Sequence, residues 1–137
     1  MSDWYSKVLE FQKTFNHMVS EQPTALDTAE RVHRFGFMLE ELQEFLVADS
    51  IPAQADAMVD LIYFALGTLV GMGVDPNPIF EIVHDANMQK LWHDGKPRYR
   101  PSDGKVVKPP NWLDPWQPIV AEIARQAALA IDAELGS

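Results

Sequence analysis

Glu40-Glu41-Leu42-Gln43-Glu44 and, after a short break, Asp56-Ala57-Met58-Val59-Asp60 decide how this chain is read. On a helix, at about 100° per residue, positions three and four apart share a face. Glu41 with Glu44, Glu40 with Glu44, and Asp56 with Asp60 therefore each point together. Between the two stretches lies Asp49-Ser50-Ile51-Pro52, where Asp49 or Ser50 caps a new helix and Pro52 fits its first turn. Two antiparallel helices joined by so short a turn set Glu44 level with Asp56 and Glu41 level with Asp60. Local spacing thus collects four carboxylates in one place.

Working outward, the glutamate helix opens at Asp27 with Glu30 three residues on, a capping box. Its apolar stripe, Phe35, Leu39, Leu42 and Leu46, lies opposite the glutamates and is the expected core face. Trp4, Val8, Phe11 and Phe15 mark an earlier amphipathic helix, expected to end near Ser20 before Pro23. The aspartate helix runs from about Pro52 to Met72, and Gly71 and Gly73 end it. It is apolar nearly all round, so it is expected to be buried. Asp75-Pro76 opens a fourth helix to about Leu91, and a last, alanine-rich helix covers Pro118 to about Leu135. From Trp92 to Gln117 Pro and Gly interrupt any period, and Arg98 to Arg100 and Lys105 to Lys108 flank Pro-Ser-Asp-Gly as a small hairpin. The fold class is all-α: about five helices in one antiparallel bundle spanning residues 1–137, with a long basic loop before the last helix.

Asp60 is the sole charged residue from Ala57 to Val74, and no Lys or Arg lies between Arg34 and Lys90. A carboxylate taken out of water must be neutral, paired or bound to metal. The glutamates alone would read as a solvated face, but the aspartates on the same level favour a cation site. Oxygen-only ligation selects Mg²⁺, with Mn²⁺ as substitute, over zinc, and Mg²⁺ keeps positions for phosphate oxygens. Glu41, Glu44, Asp56 and Asp60 are the expected ligands, and Glu40 and Glu41 the expected catalytic carboxylates.

These motifs resemble the all-α nucleotide pyrophosphohydrolase superfamily of MazG-like enzymes, dimeric dUTPases and phosphoribosyl-ATP pyrophosphohydrolases. Glu40-Glu41-x-x-Glu44 matches its Glu-Glu-x-x-Glu helix. In the second half Ala57 stands where the commoner form has Glu, and Asp56 replaces it as fourth ligand. Asp60-Leu-Ile-Tyr-Phe-Ala-Leu-Gly67, His84-x-Ala-Asn87-Met-x-Lys90, Asp94-Gly-Lys96 and Asp103-Gly-Lys105 extend the similarity over roughly residues 30 to 115. The resemblance implies Mg²⁺-dependent cleavage of a nucleoside triphosphate, dUTP or another non-standard nucleotide included, between the α and β phosphates. It also implies a homodimer or homotetramer. In that setting Asn87, Lys90, Lys96, Arg98, Arg100 and Lys105 are the expected substrate contacts. A non-catalytic metal- or nucleotide-binding regulatory module is the alternative that uses the same carboxylates.

Composition narrows the partners. A formal net charge of −9 argues against a nucleic-acid polymer as ligand, because neutralising many phosphates needs a basic face. Six of the eleven Lys and Arg residues nonetheless fall between Lys90 and Lys108, a segment suited to a smaller anion. There is no cysteine for a disulfide, a thiolate ligand or a nucleophile. No basic-then-apolar leader opens the chain, and the apolar run from Ala57 to Gly73 is short for a bilayer, so a soluble cytoplasmic protein without a membrane partner is expected. Trp92, Trp112 and Trp116 are expected to pin the loop, His17 and His33 to be core or surface histidines, and Phe37 to meet a base or a subunit interface.

Overall fold

A computed structural model describes residues 4–136 of the chain; Met1 to Asp3, where the reading of the N-terminus began, lie outside the described residues. Five helices and no strand occur among the described residues: α1 (Trp4–Thr14), α2 (Thr28–Val47), α3 (Ile51–Met72), α4 (Pro76–Met88) and α5 (Trp116–Leu135). The chain divides into two compact units. The first holds residues 1–76 and 126–137, and the second residues 77–125.

In the first unit α1 and α2 both pack on α3. Local chemistry sets each boundary. Asp27 caps α2 by accepting the Glu30 N–H at 2.8 Å, and Ser50 caps α3 by accepting the Ala53 N–H at 3.2 Å. Gly73, at φ 68°, closes α3 in the left-handed conformation, with its N–H on the Val70 carbonyl and the Val74 N–H on that of Leu69. The segment after α1 covers the same end. Ser20 donates from its backbone to the Val70 carbonyl and from its hydroxyl to Gly71, while the Thr24 N–H reaches Met72. Carbonyls that the helix end leaves orphaned are thereby satisfied.

Polar side chains fasten α1 and α2 to the flank of α3. Gln12, buried on α1, donates to the carbonyls of Met18 (2.7 Å) and Gly67 (3.1 Å). Arg34, buried on α2, donates to the Phe64 carbonyl (2.9 Å) and the Thr68 hydroxyl (3.0 Å). Gly67 makes the approach possible, since a Cβ there would lie 2.6 Å from the Arg34 guanidinium and 2.9 Å from the Gln12 carbonyl oxygen. Phe37 stacks on Phe64 at 5.2 Å between ring centres, with His33 edge-on to it, so Phe37 belongs to the α2–α3 contact.

Four expectations are corrected here. Helix α1 stops at Thr14, because Asn16 turns left-handed at φ 56° and the His17 N–H bonds back to Gln12. The stripe Phe35, Leu39, Leu42 and Leu46 is not the core face of α2: all four are exposed, while Arg34 and Glu41 face inward. Helix α3 is not buried all round either, for Val59, Ile62 and Tyr63 are exposed. By length and composition α3 could cross a bilayer, contrary to the reading of its apolar core as too short. Its backbone here takes hydrogen bonds from Gln12 and Arg34, the contacts of a helix packed in a helical cluster.

In the second unit the loop after α4 is ordered by its own turns. Tyr99 and Val106 form an isolated antiparallel bridge, with the Arg100 N–H on Lys105 and the Val107 N–H on Arg98. The pairing goes no further, and no strand forms. The Trp92 indole donates to the Val107 carbonyl and the Trp112 indole to that of Ala86, so both rings pin the loop. Trp116 instead opens α5 and is exposed.

Candidate metal and phosphate site

The carboxylates come together on facing sides of α2 and α3. Glu41 is buried at 9% exposure, Asp60 is half-buried, and Glu40, Glu44 and Asp56 are exposed. Burial raises the Glu41 pKa first, and then Glu44, Asp60 and Asp56 raise it further, Glu44 also through a side-chain hydrogen bond. Asp60 is raised by its burial and next by Asp56 and Glu44. Glu41 and Asp60 are thus held above the ordinary range by burial first and by acidic neighbours second. Glu41 Oε2 is buried without a hydrogen-bond partner. Among the described residues no three of these side chains converge at metal-ligand distances.

These donors fit a hard divalent cation. All are carboxylate oxygens, one is buried and unsatisfied, and the first Lys or Arg after Arg34 is Lys90. Arg34 does not neutralise them, since its hydrogen bonds go to Phe64 and Thr68. Glu41 belongs to the hydrophilic side of α2, and it is buried where α2 meets α3.

The basic residues proposed for the substrate lie in the second unit. Arg98 pairs with Asp94 at 3.4 Å and lies over the Trp92 ring at 4.2 Å. Arg100 makes a two-point pair with Asp103, which raises the Arg100 pKa and lowers that of Asp103. Both arginines therefore brace the bridged turn with charges already matched. Lys96 and Lys105 use their backbones, each N–H donating to the aspartate two residues earlier. Asn87 is exposed on α4, and Lys90 lies just past that helix over Trp112. Lys108, part of the basic stretch but not among the expected substrate contacts, shares the same ring.

Comparison with known proteins identifies the family of the fold. The phosphoribosyl-ATP pyrophosphohydrolase family profile matches residues 8–87, which include α2 and α3 whole. A crystal structure from Exiguobacterium sp. 255-15, described as a candidate NTP pyrophosphohydrolase, is 32% identical. It aligns over 90% of this chain and 95% of its own, with a TM-score of 0.50. Among curated proteins none matches significantly. With five helices, the Glu-Glu-x-x-Glu and Asp60 helices paired, and a profile match over more than half its length, the chain belongs to the phosphoribosyl-ATP pyrophosphohydrolase family of MazG-like all-α pyrophosphohydrolases.

Proposed function

We propose that this protein is a Mg²⁺-dependent nucleoside triphosphate pyrophosphohydrolase, releasing nucleoside monophosphate and pyrophosphate. The observation that carries the reading is the buried, partnerless Oε2 of Glu41 beside Asp60, Glu44 and Asp56. Glu41, Glu44, Asp56 and Asp60 would hold the ion, Mn²⁺ substituting for it. When bound, Mg²⁺ supplies positive charge that draws in triphosphate oxygens and offsets the charge growing on them. Glu40, exposed on the same helix, takes the proton of the attacking water. The water oxygen bonds to the α-phosphorus, the bond from that phosphorus to the bridging oxygen breaks, and pyrophosphate departs with the electron pair. dUTP and other non-standard nucleotides are the substrates to try first.

The test is a nucleotide panel assayed with and without Mg²⁺ in ¹⁸O-labelled water. Pyrophosphate release and label in the monophosphate are expected. Orthophosphate release, or label in pyrophosphate, would refute α-phosphorus attack, and metal-dependent stabilisation without turnover would favour a regulatory module.

The same reading includes assembly with copies of itself. Val32, Phe35, Leu39, Leu42 and Leu46 recur at helical spacing along the outer face of α2, and Leu46 is 81% exposed. A contiguous apolar stripe of this kind calls for a partner. A helix face meeting its own copy across a two-fold axis is self-complementary.

A further inference from the structure

Two residues of α2 are buried, Arg34 and Glu41, and they lie seven positions apart, two turns along one face. Each meets α3 at its own level. Arg34 reaches Phe64 and Thr68 beside Gly67, while Glu41 feels the charges of Asp60 and Asp56. Gly67 follows Asp60 by the same seven positions. In an antiparallel pair, equal steps along the two helices keep their levels matched. The register that seats Arg34 against Gly67 is therefore the one that brings Glu41 to Asp60.

Arg34 is a costly residue to place there. It is 7% exposed and makes no ion pair among the described residues, although desolvating a guanidinium is unfavourable. Its fork grips two acceptors one turn apart: Nε donates to the Thr68 hydroxyl and Nη2 to the Phe64 carbonyl. The Thr68 hydroxyl also donates to that carbonyl at 2.8 Å, so the two stay bonded to each other without Arg34. What the arginine adds is direction. The Phe37 ring, 5.2 Å from that of Phe64, packs by apolar contact, which is non-directional and tolerates sliding. A planar two-point fork does not slide. A slip of one residue would carry Glu41 about 1.5 Å along α3. Metal–oxygen distances tolerate only about 0.2 Å.

We infer that Arg34 is a positioning residue: its fork on Phe64 and Thr68, admitted by Gly67, fixes the α2–α3 register on which cation binding by Glu41 and Asp60 depends. The consequence for the cation rests on the proposed metal site; the register does not. The sign of the effect separates this role from that of charge. Arg34 lies about 10 Å from Glu41 along the helix. Removing its positive charge would, by Coulomb attraction alone, strengthen cation binding, whereas losing the register weakens it.

The experiment titrates the full chain with Mn²⁺, reading the free ion by electron paramagnetic resonance, in wild type, Arg34→Met and Arg34→Lys. Metal-free samples give the nuclear Overhauser contact between the Phe37 and Phe64 rings and the denaturant midpoint. Affinity is expected to fall about tenfold or more in Arg34→Met. It should fall about threefold or more in Arg34→Lys, which keeps the charge but not the fork. The ring contact should weaken in both variants. The midpoint of Arg34→Met should not fall, since a buried charge is gone and Thr68 and Phe64 keep their bond. Unchanged or higher affinity in Arg34→Met, or a ring contact kept at full strength, would overturn the inference. Affinity and midpoint falling together would also overturn it, reducing Arg34 to general support. If Arg34→Met does not fold, the same readings on Arg34→Lys decide. A wild type that binds no Mn²⁺ would sink the metal site, and the metal-free ring contact would still judge the register.

Discussion

Glu41 shows how one residue ties stability to chemistry. Burial and three acidic neighbours raise its pKa, and Asp60 is raised likewise. In the metal-free protein the folded state therefore holds these protons more tightly than the unfolded chain does. Between the ordinary carboxylate range and the raised values the native state carries more protons, so stability falls as pH rises through that window and then levels off. Thermal melts in EDTA across that range should show this decline. Glu41→Gln should flatten the decline and raise the melting temperature at neutral pH, since it removes the most buried charge; an unchanged slope would place the penalty on other groups. Gly67 makes a second prediction at this scale. A methyl group there displaces the Arg34 guanidinium and the Gln12 amide from their bonds to α3. Gly67→Ala should cost about 1–3 kcal/mol in denaturant unfolding, the range for leaving buried polar groups unpaired.

Helix ends and helix faces carry the next set of consequences. Gly73 holds a left-handed conformation, and a Cβ there would press on the backbone carbonyls of Ser20 and Gln22. Backbone cannot swing aside as a side-chain tip does, so Gly73→Ala combines conformational strain of about 1–3 kcal/mol with a steric clash. It should unfold at clearly lower denaturant than Gly95→Ala, whose Cβ position is open although its φ of 76° is similar. The outer face of α2 makes an assembly prediction. Leu42→Asp places a charge in the exposed apolar stripe and leaves the Arg34 and Glu41 side untouched. Light scattering after gel filtration should find the wild type as a dimer or tetramer and the variant shifted toward monomer; a monomeric wild type would leave that stripe unexplained.

For the molecule as a whole, the proposed cation site makes a prediction about stability. An ion that binds the assembled carboxylates and not the unfolded chain stabilises the native state by mass action. Mg²⁺ or Mn²⁺ should raise the melting temperature, more at neutral pH than in acid, where protons compete for the same oxygens. Asp60→Asn should lose most of that gain and lower turnover by orders of magnitude, because one change weakens both ion binding and transition-state stabilisation. Equal metal-dependent stabilisation of wild type and variant would disqualify these residues as ligands.

Much was determined by the sequence alone, because it is local. Five helices among the described residues, the caps at Asp27 and Ser50, the stop at Gly73 and the nearness of Glu41 to Asp56 and Asp60 follow from periodicity, caps and a short turn. The early end of α1 escaped because Asn16 takes a conformation that its sequence context permits without requiring. Which face of α2 turns inward was decided only by tertiary structure. An amphipathic pattern identifies an apolar and a polar side, but it does not say whether α3 or another surface covers the apolar one. Here hydrogen bonds from Arg34 to α3, and the room left by Gly67, bring the charged face inward and carry Glu41 with it. The same holds for the loop. Composition shows six basic residues, yet only three-dimensional pairing separates Arg98 and Arg100, matched by nearby aspartates, from Lys90 and Lys108, gathered over Trp112. Charge is written in the sequence; which charges are left to meet a ligand depends on what each side chain finds within reach.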